Sequence, residues 1–240
     1  MKILTMEQGS QEWMLARLGI PTASQFDRIL TPKTRKPSAS RINYRAELMA
    51  EWLLGQPLDW GSSAWMERGT ELEADARRWY EMDQGVDVQT VGFILRDDGA
   101  VGCSPDGMVG ADGGLEIKCP GAVQHVKYLL GIDDLATAHT GQVQGAMMLT
   151  GRDWWDVLSY NPELPAVVQR VERDEEYITA LVAVLDPFIK DLEADKERWG
   201  AHRVPRPWHE EGWQWPKYST PKHDEPDFAD YDNWARGEEE

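Results

Sequence analysis

The segments Ser104-Pro105-Asp106-Gly107 and Leu115-Glu116-Ile117-Lys118 flank a glycine-rich connector, Val109-Gly110-Ala111-Asp112-Gly113-Gly114. No other feature constrains the fold as tightly. Such a connector tolerates positive φ, so it closes an antiparallel hairpin. Strand alternation turns Val101, Cys103, Leu115 and Ile117 toward a core and sends Asp106, Glu116 and Lys118 elsewhere. Two adjacent antiparallel strands then bring Asp106 and Glu116 to one end of a sheet. Pro105 fixes φ ahead of Asp106, and Gly107 lets the chain turn after it.

Two carboxylates and the Ile117 backbone carbonyl are oxygen donors, the kind preferred by hard cations such as Mg²⁺ or Mn²⁺, which often share a phosphate with the protein. A cation held there lowers the pKa of its water and stabilises charge on a phosphoryl group. Lys118 shares a strand face with Glu116, where its ammonium could position water or neutralise developing charge. A plain hairpin with a surface salt bridge between Glu116 and Lys118 uses the same residues, and a bare Asp…Glu-x-Lys match favours that simpler reading.

Further stretches shift the balance. Arg17-Leu18-Gly19-Ile20-Pro21-Thr22-Ala23-Ser24, Glu73-Ala74-Asp75-Ala76-Arg77, Cys103-Ser104-Pro105-Asp106-Gly107, Gly114-Leu115-Glu116-Ile117-Lys118-Cys119-Pro120 and Gln142-Val143-Gln144 occur in that order over residues 9–199. In these stretches the chain resembles the phage lambda exonuclease family, the YqaJ-type viral recombinases of the PD-(D/E)xK nuclease superfamily. Co-ordered motifs are far more specific than one. The resemblance implies a metal-dependent exonuclease that digests linear double-stranded DNA 5′→3′. It also implies release of mononucleotides from DNA ends, a homotrimer ring, and a partner single-strand annealing protein that coats the strand left behind. It makes Asp106 and Glu116 metal ligands together with the Ile117 carbonyl, with two Mg²⁺ ions expected and Mn²⁺ as a substitute. Lys118 becomes the catalytic lysine, Glu73 a helix-borne acid at the second metal or its waters, and Gln142 a glutamine that buttresses the lysine and the water. Arg17, Ser24 and Ser104 become the grip on a 5′-terminal phosphate. An arginine fork with two hydroxyls also suits a phosphate dianion on physical grounds. The run His139-Thr140-Gly141-Gln142 departs from the family pattern, Asp97 and Asp98 compete for one family acid, and residues 201–240 match nothing.

Each residue also has a purely structural reading. Glu73 and Arg77 form an i,i+4 pair, with Glu71 on another helix face. Arg17 is a cation at a helix C-terminus. Thr22-x-x-Gln25 reads as a capping box, which leaves Ser24 in the first turn of a helix whose N-terminus attracts phosphate. Gln144 is scaffold. Cys103 and Cys119 are buried small residues without metal or redox spacing. The histidines are scattered and suggest no hydrolase triad.

The 240 residues suffice for one large domain. Residues 1–200 carry the motifs. Residues 201–240, acidic and rich in Pro and Trp, form an extension that packs on the domain or on a neighbouring subunit, because Trp208, Trp213 and Trp215 resist exposure to water. No apolar run approaches the ~20 residues of a membrane span. Nothing resembles a secretory signal, and the two cysteines fit a reducing cytoplasm, by resemblance that of a bacterial host of a phage or prophage. The net charge of −17 opposes DNA binding. The exception is the acid-free stretch with Arg28, Lys33, Arg35, Lys36, Arg41 and Arg45, the candidate contact to the DNA backbone. Three copies around a ring would turn these residues to a channel and the acids outward.

Periodicity and punctuation predict helices at 10–18, 22–31, 41–54 (stopped by Gly55), 63–82, 121–130 and 139–149. Strands are expected at 88–95, 99–104, 114–118, 154–160 and 166–172. A helix over 174–199 carries the stripe Tyr177, Ile178, Leu181, Leu185, Phe188, Ile189 and Leu192, with Pro187 expected to kink or restart it. This is an α/β fold with a central mixed β-sheet flanked by helices, and the resemblance makes it restriction-endonuclease-like. Two other functions share the core: a structure-specific endonuclease, and an adaptor that has lost catalysis. Joint retention of Asp106, Glu116 and Lys118 argues against the adaptor.

Overall fold

The structure, a computed structural model, describes residues 1–58 and 64–202, with side chains from residue 72 onward in the second stretch. The expected packing of the extension lies, from residue 203 on, outside the described residues. Strand β1 (Lys2–Leu4) leads to α1 (Gln11–Ala16), where the Ser10 hydroxyl accepts the Trp13 N–H. A 3₁₀ turn (Ala23–Arg28) and the small hairpin β2 (Leu30–Thr31) and β3 (Lys36–Pro37) follow. Helix α2 (Arg41–Leu54) ends on Gly55 in the left-handed region, at φ 68°, as the sequence indicates. After α3 (Ala64–Gln84) come β4 (Val88–Gln89), β5 (Phe93–Leu95), β6 (Gly102–Cys103), β7 (Gly107–Val109) and β8 (Gly113–Lys118). Helices α4 (Ala122–Leu129), α5 (Leu135–Ala138) and α6 (Thr140–Thr150), strands β9 (Trp154–Ser159) and β10 (Val167–Glu172), and helix α7 (Glu175–Trp199) complete the order.

The central sheet runs β10-β9-β8-β7-β4 and is mixed: β8 and β9 are parallel, and every other neighbour is antiparallel. Alternation on β8 and β9 assigns its two faces. Leu115, Ile117 and Leu158 pack with Ala76 and Tyr80 of α3. Trp155 and Val157 pack with Val143, Ala146 and Met147 of α6, in the larger core that α7 closes with the stripe read from the sequence. On the α3 side, the Asp156 carboxylate, 1% exposed, accepts the Tyr80 hydroxyl at 2.6 Å and the Arg170 guanidinium at 2.8 and 2.9 Å. A buried carboxylate is tolerated only when paired and hydrogen-bonded, and this one fastens α3 to the sheet.

Several sequence expectations are corrected. The apolar run at 88–95 is two strands in two sheets. β4 joins the central sheet, while β5 pairs with β1 and β6 in a separate three-stranded sheet. The break lies at Gly92, where a Cβ would meet the Met6 carbonyl oxygen at 2.1 Å. The strand expected at 99–104 shrinks to β6 in that second sheet, and the hairpin partner of β8 is β7. Thr22 forms no capping box: its backbone bridges Gly102, its hydroxyl lies 3.3 Å from the Ser24 hydroxyl, and the segment winds as a short 3₁₀ turn in place of a helix over 22–31. Cys119 is half-buried. Helix α7 passes Pro187 without restarting, since the buried stripe on both sides outweighs one missing hydrogen bond. The stretch between the helices expected at 22–31 and 41–54, assigned no element from the sequence, closes the tight β2–β3 hairpin.

One contact positions the site. Helix α6 lies against the 3₁₀ turn through glycines: a Cβ on Gly145 would meet the Phe26 ring at 2.3 Å, and one on Gly141 would meet Asp27 Oδ1 at 1.7 Å. The Gly141 N–H donates to the Asp27 carboxylate, which offsets part of the upward push that burial gives its pKa, and the anion sits at the positive end of the helix. At the same helix end His139 is held neutral. Burial, then the nearby Lys118 ammonium, push its pKa from 6.5 down to about 4.

Two outcomes follow for stability. Gly145→Ala must displace Phe26, which is 0% exposed, and is expected to cost about 1–3 kcal/mol, read as a lower urea midpoint; an unchanged midpoint would contradict this packing. The unfolded chain protonates His139 below pH 6.5, whereas the native one resists until about pH 4. The unfolded state therefore binds more protons in that window, and the His139 contribution, complete above pH 6.5, is lost as pH falls, with a limiting slope of about 1.4 kcal/mol per pH unit. Denaturation of wild type and His139→Gln between pH 4.5 and 7 should show a shallower loss in the variant.

Candidate active site

The β7–β8 ladder pairs Gly107 with Leu115 and goes no further. Beyond it the Asp106 carboxylate accepts the Ile117 N–H at 2.6 Å. The N–H and C=O of one strand residue face the same neighbour, so the Ile117 carbonyl lies on the Asp106 side. Glu116, 4% exposed, and Lys118 share the α6 face of the sheet. Lys118 Nζ donates to Glu116 Oε1 at 2.7 Å and to Gln142 Oε1 at 3.2 Å, and Gln142 Nε2 donates to Glu116 Oε1 at 2.6 Å. The glutamine thus spans both charges. Glu73, from α3, is paired with Arg77 at 2.7 Å, and Arg77 Nε also donates to the Asp106 carbonyl at 3.3 Å. Asp106, Glu116, Lys118, Glu73 and Gln142 therefore converge, and the simple surface-bridge reading does not fit a buried Glu116 that Gln142 holds together with the half-buried Lys118.

The electrostatics are those of crowded acids. Burial, then the Glu116 and Glu73 charges, hold the Asp106 carboxyl well above the usual carboxylate range. Burial also raises Glu73, with Arg77 opposing it and Glu116 reinforcing it. Burial works against the Lys118 ammonium, but the Glu116 and Asp106 charges outweigh it and its pKa rises, so the lysine keeps its proton at neutral pH.

A cavity of about 190 Å³ adjoins these groups, lined by Arg17, Ser24 and Ser104 together with Glu116 and Gln142. Arg17, at the C-terminal cap of α1, lies over the Trp13 ring at 3.9 Å. Burial lowers its pKa, with Tyr44 and Glu51 opposing. Among the described residues no carboxylate comes within ion-pair distance of it, so its fork is open to an anion. Trp13 Nε1 donates to Ser104 Oγ at 2.9 Å, which leaves the Ser104 hydroxyl hydrogen to point elsewhere. Trp13 and Gln8 line the same cavity and were not found by sequence reasoning. Neither belongs to a motif, and only the helix start at Ser10 hinted that Trp13 and Arg17 share a helix face.

Among the described residues no three His, Cys, Asp or Glu side chains already converge as cation ligands. The carboxylate oxygens face Lys118, Gln142, Arg77 and the Ile117 amide instead. The donor set nonetheless suits a hard divalent ion: it is all oxygen, and a cation would offset both the burial and the mutual repulsion that raise Asp106.

The basic stretch is largely committed elsewhere. Arg28 is bidentate to Glu47 at 2.6 and 2.6 Å, Arg35 pairs with Asp174 and Glu176 at 2.6 and 3.1 Å, Arg45 with Asp191 and Asp195 at 2.8 and 3.3 Å, and Arg41 donates to the Ser38 carbonyl at 2.9 Å. Lys33 and Lys36 are exposed and have no ion pair among the described residues. Asp97 pairs with the N-terminus and Asp98 with Arg96, so neither acid joins the site. Gln144 is scaffold, as expected: it donates to the Glu172 carbonyl and accepts the Asp174 N–H.

Residues 12–153 match the model of the YqaJ-like viral recombinase domain. Among curated proteins there is no match. Among solved structures, the alkaline exonuclease LHK-Exo from Laribacter hongkongensis aligns at 36% identity with a TM-score of 0.70, over 80% of this chain and 97% of that one. LHK-Exo in complex with dAMP aligns at 36% identity and 0.66, over 80% and 99%. A phage related exonuclease from Haemophilus somnus 129PT, at 15% identity and a TM-score of 0.53 over 81% and 97%, shares the fold. With the domain match spanning more than half of the sequence and the motif residues gathered at one site, the chain belongs to the YqaJ-like viral recombinase family, of the lambda-exonuclease type.

Proposed function

We propose that the protein is a metal-dependent exonuclease that digests linear double-stranded DNA 5′→3′ and releases 5′-mononucleotides. The observation that carries this reading is the one cavity that joins Arg17, without an ion pair among the described residues, and two hydroxyls to Glu116 and Gln142. The likeness to LHK-Exo, an alkaline exonuclease by its name, supports the same class.

Arg17, with the Ser24 and Ser104 hydroxyls, binds the terminal phosphate of a 5′ end. Anchoring there sets the first phosphodiester beside Asp106, Glu116 and Lys118. Asp106, Glu116, Glu73 and the Ile117 carbonyl would hold two Mg²⁺ ions, or Mn²⁺ in their place, which would supply an activated water and offset phosphate charge. Lys118, protonated and held by Gln142, serves as a cation beside the phosphoryl oxygens and does not act as a base. Water adds to phosphorus, the bond to the 3′ oxygen breaks, and that oxygen takes a proton from solvent. The released product is a 5′-mononucleotide. The shortened strand carries a new 5′-phosphate, the group the cavity accepts, so the cycle can repeat.

The same reading includes a homotrimer ring whose channel offers Lys33 and Lys36 to the duplex, and a single-strand annealing protein that takes the 3′ strand. Its setting is the cytoplasm of a bacterial host of a phage or prophage. Among the described residues no helix is long and apolar enough to cross a membrane.

Lys118→Ala and Asp106→Asn should each lower kcat on linear duplex at least about 10²-fold, and EDTA should abolish hydrolysis. Hydrolysis that survives either substitution would move the site elsewhere. Wild type should prefer a 5′-phosphoryl over a 5′-hydroxyl end and leave closed-circular DNA intact. Arg17→Lys, which loses the fork, should narrow that preference. Indifference to the 5′ end would remove the pocket, and nicking of circles would favour the endonuclease.

A further inference from the structure

The turn Ser104–Asp106 belongs to neither sheet. β6 ends at Cys103 in the three-stranded sheet and β7 begins at Gly107 in the central one. Yet this turn carries Ser104, a wall of the anion cavity, and Asp106, a member of the acid cluster. With no ladder to hold it, its backbone depends on side chains. Continuing the β7–β8 register would set Pro105 opposite Ile117, but the Ile117 amide goes to the Asp106 carboxylate. The Pro105 carbonyl instead accepts Gln8 Nε2 at 2.8 Å.

Gln8 is built for that task. Its amide also donates to the Val91 carbonyl at 2.9 Å, so its two hydrogens join two segments distant in sequence. Two residues before it, Met6 crosses close over Gly92, where a Cβ would meet the Met6 carbonyl oxygen at 2.1 Å. Arg77 holds the next carbonyl, that of Asp106, but is itself tied to Glu73. Trp13 Nε1 holds the Ser104 hydroxyl, and among the described residues Gln8 is the donor that grips the turn's backbone from outside the acid cluster.

We infer that Gln8 is a positioning residue that couples recognition of the 5′-phosphate to cleavage, by holding Ser104 and Asp106 at a fixed offset across the Pro105 carbonyl. This rests on the exonuclease reading above. An offset error of about 1 Å between a binding group and a reacting group can cost about 10²-fold in rate. It weighs most on a substrate that uses both groups at once.

The test measures kcat and KM of the full chain with Mg²⁺ on linear duplexes bearing a 5′-phosphate or a 5′-hydroxyl, for wild type and Gln8→Leu, with thermal midpoints alongside. Gln8→Leu should slow both substrates, the 5′-phosphorylated one by the larger factor, of order 10²-fold, so that the ratio of the two rates falls toward one. Equal slowing of both with the ratio kept would mean a merely structural role and would overturn the inference, as would unchanged rates. If Gln8→Leu fails to fold, Gln8→Asn keeps the amide but is too short to reach both carbonyls, and the same ratio decides. A wild-type enzyme blind to the 5′ end would contradict the proposed function itself. A discriminating wild type matched by an equally discriminating Gln8→Leu would contradict this inference alone.

Discussion

A carboxylate takes over where a strand ladder stops. At the end of the β7–β8 hairpin, Asp106 accepts the Ile117 amide that a backbone carbonyl would otherwise have taken. The substitution satisfies a buried N–H, places the acid beside Glu116, and leaves the Ile117 carbonyl on the same side. The residues proposed as catalytic are arranged around that junction. The sheet supplies Glu116 and Lys118 from alternate positions of β8, α3 supplies Glu73 across its edge, and α6 supplies Gln142 from the opposite face.

Such a cluster is unfavourable by itself. Three carboxylates, Glu116 buried and Asp106 and Glu73 half-buried, repel one another, and the chain offsets this with Lys118, Arg77 and the amide of Gln142. The same groups that balance the acids hold them in place. This is a form of preorganisation: the stabilising charges stand in position before any substrate arrives. Helix α6 can deliver Gln142 only because Gly141 and Gly145 let the 3₁₀ turn with Ser24 lie against it. Ser24 of the proposed phosphate grip and Gln142 beside Lys118 thus meet at one packing interface.

Much of this was legible in the sequence. The α7 stripe and the Gly55 stop of α2 follow from period and cap, and the residues gathered at the candidate site follow from motifs that fall on β8, the turn before β7, the 3₁₀ turn, the end of α1, and helices α3 and α6. Other parts were not legible, for physical reasons. The apolar run at 88–95 reads the same whether it serves one sheet or two, and only the crossing of Met6 over Gly92 divides it. The basic stretch looked free because its acidic partners Asp174, Asp191 and Asp195 lie far along the chain. Gln8 acts through two carbonyls, a role that depends on where distant backbone passes and leaves no local signature. Trp13 belongs to no motif, and its indole N–H gains meaning only from the Ser104 hydroxyl opposite it.

The central claim is that the phosphate grip and the acid cluster form one site a single nucleotide apart. The most direct measurement is a crystal structure of the Lys118→Ala variant with a 5′-phosphorylated duplex end. The account predicts the terminal phosphate within hydrogen-bonding distance of Arg17, Ser24 and Ser104, with the first phosphodiester beside Asp106 and Glu116. A terminal phosphate bound elsewhere, or a first phosphodiester remote from those acids, would contradict it.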